Sequence, residues 1–208
     1  MSHSFWVFAL ATLILNLTPG NDVIYVVSRS AGQGVRAGII SSLGIMAGCL
    51  VHITAAAVGL SAIIAASATA FDIVRYVGAA YLLYLGIRTL LSKSASFKIK
   101  EGMPRMSNKK VFWQGVITNV LNPKVALFFL AFIPQFIDAG TVHPQRQALF
   151  LGVWFNVSGT VVNILYAVLF GRIGQWLSRH PRWIKWQERV TGMVLIVLGI
   201  KVALTSKK

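Results

Sequence analysis

From Ala37 to Phe71 the chain runs for 35 residues without an Asp, Glu, Lys or Arg. A bilayer core is crossed by about 20 predominantly apolar residues, so this stretch has room for one membrane helix and a tight turn. The rest of the sequence agrees. Of its 208 residues 56% are apolar and 12% charged, and the mean hydropathy is +0.69. A soluble domain carries about 25% charged residues. The expected product is an all-α integral membrane protein, one transmembrane domain over residues 1–208 with no soluble domain.

The net charge of +15 would suggest nucleic acid in a soluble chain. Here the basic residues gather between apolar segments, so orientation in the membrane accounts for them better and no nucleic-acid partner is expected. The single cysteine, Cys49, has no partner for an internal disulfide and is expected to pack in its apolar segment. The N-terminus lacks the basic region and small-residue cleavage site of a signal peptide.

Six apolar segments are expected, at about 5–27, 38–62, 70–91, 112–136, 148–170 and 189–205. Arg29 and Arg36 mark the first connection. Arg88, Lys93, Lys98, Lys100, Arg105, Lys109 and Lys110 mark the third, and Arg172, Arg179, Arg182, Lys185 and Arg189 the fifth. The second and fourth are poor in base. The positive-inside rule then places loops 28–37, 92–111 and 171–188 in the cytoplasm and both termini outside, although Lys201, Lys207 and Lys208 count against this. The Trp- and base-rich residues 174–187 fit an interfacial segment.

The two halves resemble one another. "LTPG" (17–20) answers "LNPK" (121–124), "RYVG" (75–78) answers "RVTG" (189–192), and "LGIR" (85–88) answers "LGIK" (198–201), in the same order. Two copies of three helices must enter the membrane in opposite directions. The expected fold is a 3+3 inverted-topology repeat, about 5–91 and 112–205, joined by the basic loop 92–111, with helices 1 and 4 broken. Corresponding breaks in inverted repeats point to a transporter site near the midplane.

The breaks carry chemistry. Pro19 removes a backbone donor and Gly20 permits unusual dihedrals, which frees carbonyls before the break and N–H groups after it. Hydrocarbon satisfies neither, so the break must face protein or a wet cavity. The N–H end of the following half-helix suits a carboxylate, while the freed carbonyls and Asp22 suit an ammonium. The second break offers the amides of Asn119 and Asn122 and then Lys124, a lysine deep in an apolar segment. Plain proline kinks, an Asp22–Lys124 structural pair, and a snorkelling Lys124 are the structural alternatives. His52 is either a proton relay or a histidine hydrogen-bonded to a neighbouring helix, and the second reading is preferred. Gly44 and Gly48 form a GxxxG pattern, read as close helix packing. Asn156, Ser158 and Asn163 either line a path or join helices.

"NLTPGND" (16–22), "GQGVRAGIISSLGIMAG" (32–48) and "NVLNPKVALFFLAFIPQF" (119–136) resemble the LysE/RhtB family of bacterial amino-acid exporters, over nearly the whole chain. The family usually has TPGPD where Asn21 replaces the second proline here. The resemblance implies efflux of amino acids or close derivatives across the bacterial inner membrane, driven by proton antiport. A neutral substrate of the threonine, homoserine or leucine type is favoured, because Asp22 is the only acid deep in an apolar segment. The candidate substrate-binding residues are Asn16, Thr18, Pro19, Gly20, Asp22, Asn119, Asn122, Pro123 and Lys124, and those for proton coupling are Asp22 and His52. The partners are the amino acid, protons and membrane lipids, with homo-oligomerisation left open. No cofactor, metal site or catalytic residue is expected. A metal-ion exporter would want more oxygen ligands or a His/Cys cluster. An intramembrane enzyme would want a motif around Ser158 and His52. A passive channel would not accumulate substrate.

Overall fold

The computed structural model describes residues 2–66, 68–91, 105–138, 141–178 and 181–204. Helices form α1 (Ser2–Leu17), α2 (Asn21–Gln33), α3 (Val35–Ala66), α4 (Ala68–Leu91), α5 (Asn108–Val120), α6 (Pro123–Leu127), α7 (Pro144–Ser178) and α8 (Pro181–Leu204). A π-helical stretch at Phe128–Phe132 and a 3-10 turn at Ile133–Phe136 continue α6. Among the described residues there is no strand.

Two stretches are by themselves long and apolar enough to cross a membrane, Val35–Gly59 and Pro144–Arg172. Two more qualify if each bent pair is one span. Phe5–Leu17 and Asn21–Gln33 meet at 49°, and Asn108–Val120 and Pro123–Phe136 at 45°. The bends fall at Thr18–Gly20 and Leu121–Asn122, as the two proline motifs predict. By length and composition, between two and four spans thus stand out among the described residues. Helix α4 adds a shorter apolar stretch, Tyr76–Leu91.

The expected loops need correction. Residues 28–37 are not a loop, because α2 runs on to Gln33 and α3 starts at Val35. The chain turns at Gly34, whose φ of 92° is open to glycine and whose N–H bonds the Ser30 carbonyl at 2.8 Å. Arg29 and Gln33, one turn apart and bonded at 3.1 Å, hold the last turn of α2 in helix. Residues 171–188 are helical on both sides of 179–180, so the expected interfacial segment 174–187 is divided between α7 and α8. In the expected loop 92–111, residues 92–104 lie outside the described residues, and α5 starts at Asn108 with Ser107 as its cap.

Lipid gives helices no hydrophobic reason to associate, so close packing must do it. A methyl group on Gly44 would lie 2.2 Å from the Phe112 carbonyl oxygen, and one on Gly48 2.6 Å from that of Val116. The GxxxG pattern is therefore the face on which α3 meets α5. Helix α4 packs on α8, where Gly86 and Gly199, the glycines of the two "LGI" triplets, each face the other helix. On one side of the breaks lies a phenylalanine core. Phe128 stacks on Phe132 and on Phe155, each with ring centroids 4.8 Å apart, and Phe8 meets Phe136 at 5.2 Å.

Candidate functional site between the two helix breaks

The first break leaves carbonyls that the helix itself does not satisfy. Thr18 supplies two local bonds, from its N–H to the Leu15 carbonyl (3.1 Å) and from its hydroxyl to that of Ile14 (2.9 Å). The other donors come from far along the chain. Lys124 Nζ donates to the Leu15 carbonyl (3.2 Å) and the Thr18 carbonyl (3.1 Å). The Tyr166 hydroxyl donates to the Leu17 carbonyl at 3.0 Å. The carbonyls freed by the first break thus already hold an ammonium, that of Lys124. Gly20 makes room for it, since a methyl there would sit 3.1 Å from Nζ. Gly20 also ends the break as the N-cap of α2, with no side-chain cap.

Asp22 stands in the first turn of α2, where the helix dipole favours a negative charge. It is 7% exposed. Its Oδ2 accepts from Asn119 Nδ2 at 2.8 Å, while its Oδ1 is buried without a partner. Asn119 Oδ1 is likewise buried and unpartnered. Asp22 and Lys124 therefore make no direct ion pair: Asn119 bonds the carboxylate, and the backbone of the first break bonds the ammonium.

The second break finds most of its partners locally, although the Asn119 carbonyl also accepts from His52 Nε2 at 3.0 Å. Asn122 Oδ1 accepts from the Lys124 N–H at 3.0 Å, capping α6 with Pro123 in its first turn. The Leu121 and Asn122 N–H groups bond the Ile117 and Asn119 carbonyls at 3.0 and 2.9 Å. Asn122 Nδ2 remains buried and unpartnered.

A small cavity of about 30 Å³ lies beside these groups, room for about one water molecule as the side chains stand. Asn16, Asp22, Asn119 and Lys124 line it, joined by Asn156, Thr160 and Asn163 of α7. A second space of about 260 Å³ lies between the breaks and α4. Thr18, Pro19, Gly20, Asn122, Pro123 and Lys124 line that one. Lys124 lines both spaces. All nine candidate binding residues thus gather around the breaks.

His52 lies apart from both spaces. Its Nε2 donates to the Asn119 carbonyl at 3.0 Å, and its ring packs 5.9 Å from that of Phe129. Asn119 touches Asp22 with its side chain and His52 with its backbone, and these two amides are not conjugated. The contact positions both residues but offers no proton path through Asn119.

Of the polar residues left open on α7, Ser158 joins helices by accepting from Asn16 Nδ2 at 3.2 Å. Asn156 donates to the Met46 carbonyl at 3.1 Å and also lines the cavity. Asn163 lines the cavity too. Tyr166 and Thr160 are additions that sequence reasoning missed. A tyrosine placed within an apolar segment is the signal that was available for Tyr166. Cys49 is buried and lines the cavity with its free thiol. Among the described residues no three His, Cys, Asp or Glu side chains come together as a metal site.

Comparison with known proteins agrees with the resemblance read from the motifs. The chain is 32% identical over 205 residues to a homoserine/homoserine lactone efflux protein of Salmonella typhimurium, covering 98% of each. It is 30% identical over 207 residues to a leucine efflux protein of Salmonella choleraesuis, covering 96% of this chain and 94% of the relative. An uncharacterized membrane protein of Bacillus subtilis is 28% identical over 212 residues. No solved structure matches the chain. The profile of the LysE type translocators matches residues 13–206, and the chain belongs to that family.

Proposed function

We propose that this translocator exports neutral amino acids or close derivatives from the cytoplasm across the bacterial inner membrane, in exchange for protons. The observation that carries the reading is the pair of unpartnered oxygens, Asp22 Oδ1 and Asn119 Oδ1, buried beside a cavity that Lys124 also lines. Two acceptors, one of them charged, suit a substrate ammonium. The Lys124 ammonium opposite suits its carboxylate. The names of the Salmonella relatives, homoserine and leucine efflux proteins, support a neutral substrate.

Exchange follows from competition at one carboxylate. Asp22 holds an ammonium only when ionised, and a proton bound there removes that attraction. A proton arriving from outside therefore expels the substrate, and its departure inside restores the site. A 3+3 inverted repeat with both termini outside supplies the movement, one half rocking against the other around the breaks. The two bends of similar angle at corresponding motifs support that architecture.

Export is tested by feeding dipeptides to cells expressing the chain and following each released amino acid outside. Accumulation of leucine or homoserine outside, against its gradient and lost when the proton gradient is collapsed, is the expected result. Release that only equalises concentrations would replace the exporter with a channel. The orientation is tested with Gly102→Cys and Gly140→Cys in a Cys49→Ala background. Both sites lie outside the described residues. An impermeant thiol reagent added to intact cells should reach Gly140→Cys alone, and labelling of both would overturn the topology.

A further inference from the structure

We propose that the space between the breaks and α4 is a second binding site, selective for the carboxylate of the substrate, with Arg88 at its mouth and Asn122 at its base. The proposal rests on the efflux reading and adds to it a place where substrate is captured before it reaches Asp22.

The two spaces differ in the sign of their free groups. Beside Asp22 the unpartnered atoms are acceptors, Asp22 Oδ1 and Asn119 Oδ1. The space beside α4 has the opposite set. Asn122 lines it, is 2% exposed, and carries a buried Nδ2 with no partner. Which end of that amide is the donor is fixed, because the other end caps the Lys124 N–H. A buried donor left unmade is unfavourable, and its ligand must bring an acceptor. Arg88, from the last turn of α4, and Lys124 line the same space, and among the described residues no Asp or Glu does. Arg88 is exposed and Asn122 is buried, so the positive groups run from the opening to the base. A guanidinium and an amide N–H are a carboxylate-binding set. With a volume of about 260 Å³, the site accommodates a whole amino acid, side chain included.

Lys124 is common to both spaces, and its Nζ bonds the backbone between them. A carboxylate drawn in by Arg88 and Asn122 meets this ammonium next. The substrate's own ammonium then lies on the side where Asp22 waits.

The test uses the full chain in lipid nanodiscs, with Ile24→Cys as the reporter in a Cys49→Ala background. Ile24 lines the space and is exposed. Leu85→Cys is the second reporter should the first fold poorly. The rate of labelling by a small thiol reagent is read with leucine, leucinamide, homoserine and homoserine lactone. Leucine and homoserine should slow labelling about tenfold or more, since charged hydrogen bonds are at stake. Leucinamide and the lactone, which lack the carboxylate, should change it less than about twofold. Arg88→Gln should abolish the protection by the two acids. Equal protection by the acids and by their counterparts that lack the carboxylate, or protection that survives Arg88→Gln, would overturn the site. So would protection by anionic lipid and by none of the four compounds, which would assign the space to a headgroup phosphate. Export by the unaltered chain is followed separately. Protection without export would leave the site and remove the efflux reading, and export without protection would do the reverse.

Discussion

At the break after Leu17 the freed carbonyls reach across the molecule for their donors, to Lys124 and Tyr166. At the break after Val120 the backbone N–H groups find their partners within four residues and Asn122 caps the helix that follows, with His52 as a distant donor to the Asn119 carbonyl. Both motifs read as "Leu-x-Pro-x", yet one break is a socket and the other is closed on itself. The difference lies in the residue that caps the following helix. Asn122 precedes its proline and has a side chain that caps, whereas Gly20 follows its proline and has none. The second break spends its polar atoms on its own stability and sends its next residue, Lys124, into the first. There its ammonium donates to the Leu15 and Thr18 carbonyls.

This contrast fixes the order of expected effects. The largest belongs to Lys124→Met, which strips both the Leu15 and Thr18 carbonyls of their ammonium. The Leu15 carbonyl keeps the Thr18 N–H while the Thr18 carbonyl is left unsatisfied, so a loss of about 3 kcal/mol in unfolding free energy in mild detergent is expected, the upper end for one buried group, together with loss of export. A stability change no larger than that of Tyr166→Phe would show that the first break does not depend on Lys124.

Next comes Gly44→Ala, where the added methyl meets the Phe112 carbonyl oxygen. It should lower stability by about 1–3 kcal/mol without changing substrate preference, as judged by the ratio of leucine to homoserine exported. A changed ratio would mean that the α3–α5 contact shapes the site directly.

Asn122→Ala should cost about 1 kcal/mol, the value of one helix cap. Measured in the same unfolding assay, it should fall clearly below Lys124→Met, because the second break keeps its backbone bonds. Similar costs for both would erase the distinction between the breaks.

The smallest effect is expected from His52→Gln. The amide replaces the donor to the Asn119 carbonyl, so export should stay within about twofold, with its pH dependence unchanged. A flattened pH profile would restore His52 as a proton carrier.

Much of the site was legible because it is written in rare residues. Pro19, Pro123, Asp22 and Lys124 conflict with an apolar helix, and the conflict itself marks them. The two bends, the gathering of the candidate residues and the GxxxG contact followed from local rules. What was hidden depends on distant partners. Nothing near Lys124 in sequence indicates that its ammonium reaches carbonyls 106 and 109 residues away, or that Asn119 rather than Lys124 holds Asp22. The corner at Gly34 was hidden for a different reason. The polar end of α2 reads as a loop in hydropathy, although Arg29 and Gln33 hold it in helix.

The central claim is that the carboxylate of Asp22 binds the substrate ammonium and the proton in turn. Asp22→Asn keeps the shape and the contact with Asn119 while removing the charge and the titrating proton. The decisive measurement is export per membrane-inserted molecule for Asp22→Asn alone and combined with Lys124→Met, which removes any imbalance of charge. The account predicts that both variants reach the membrane and that export stays lost in both. Near-normal export by the double variant would contradict it and leave Asp22 and Lys124 as parts of the scaffold.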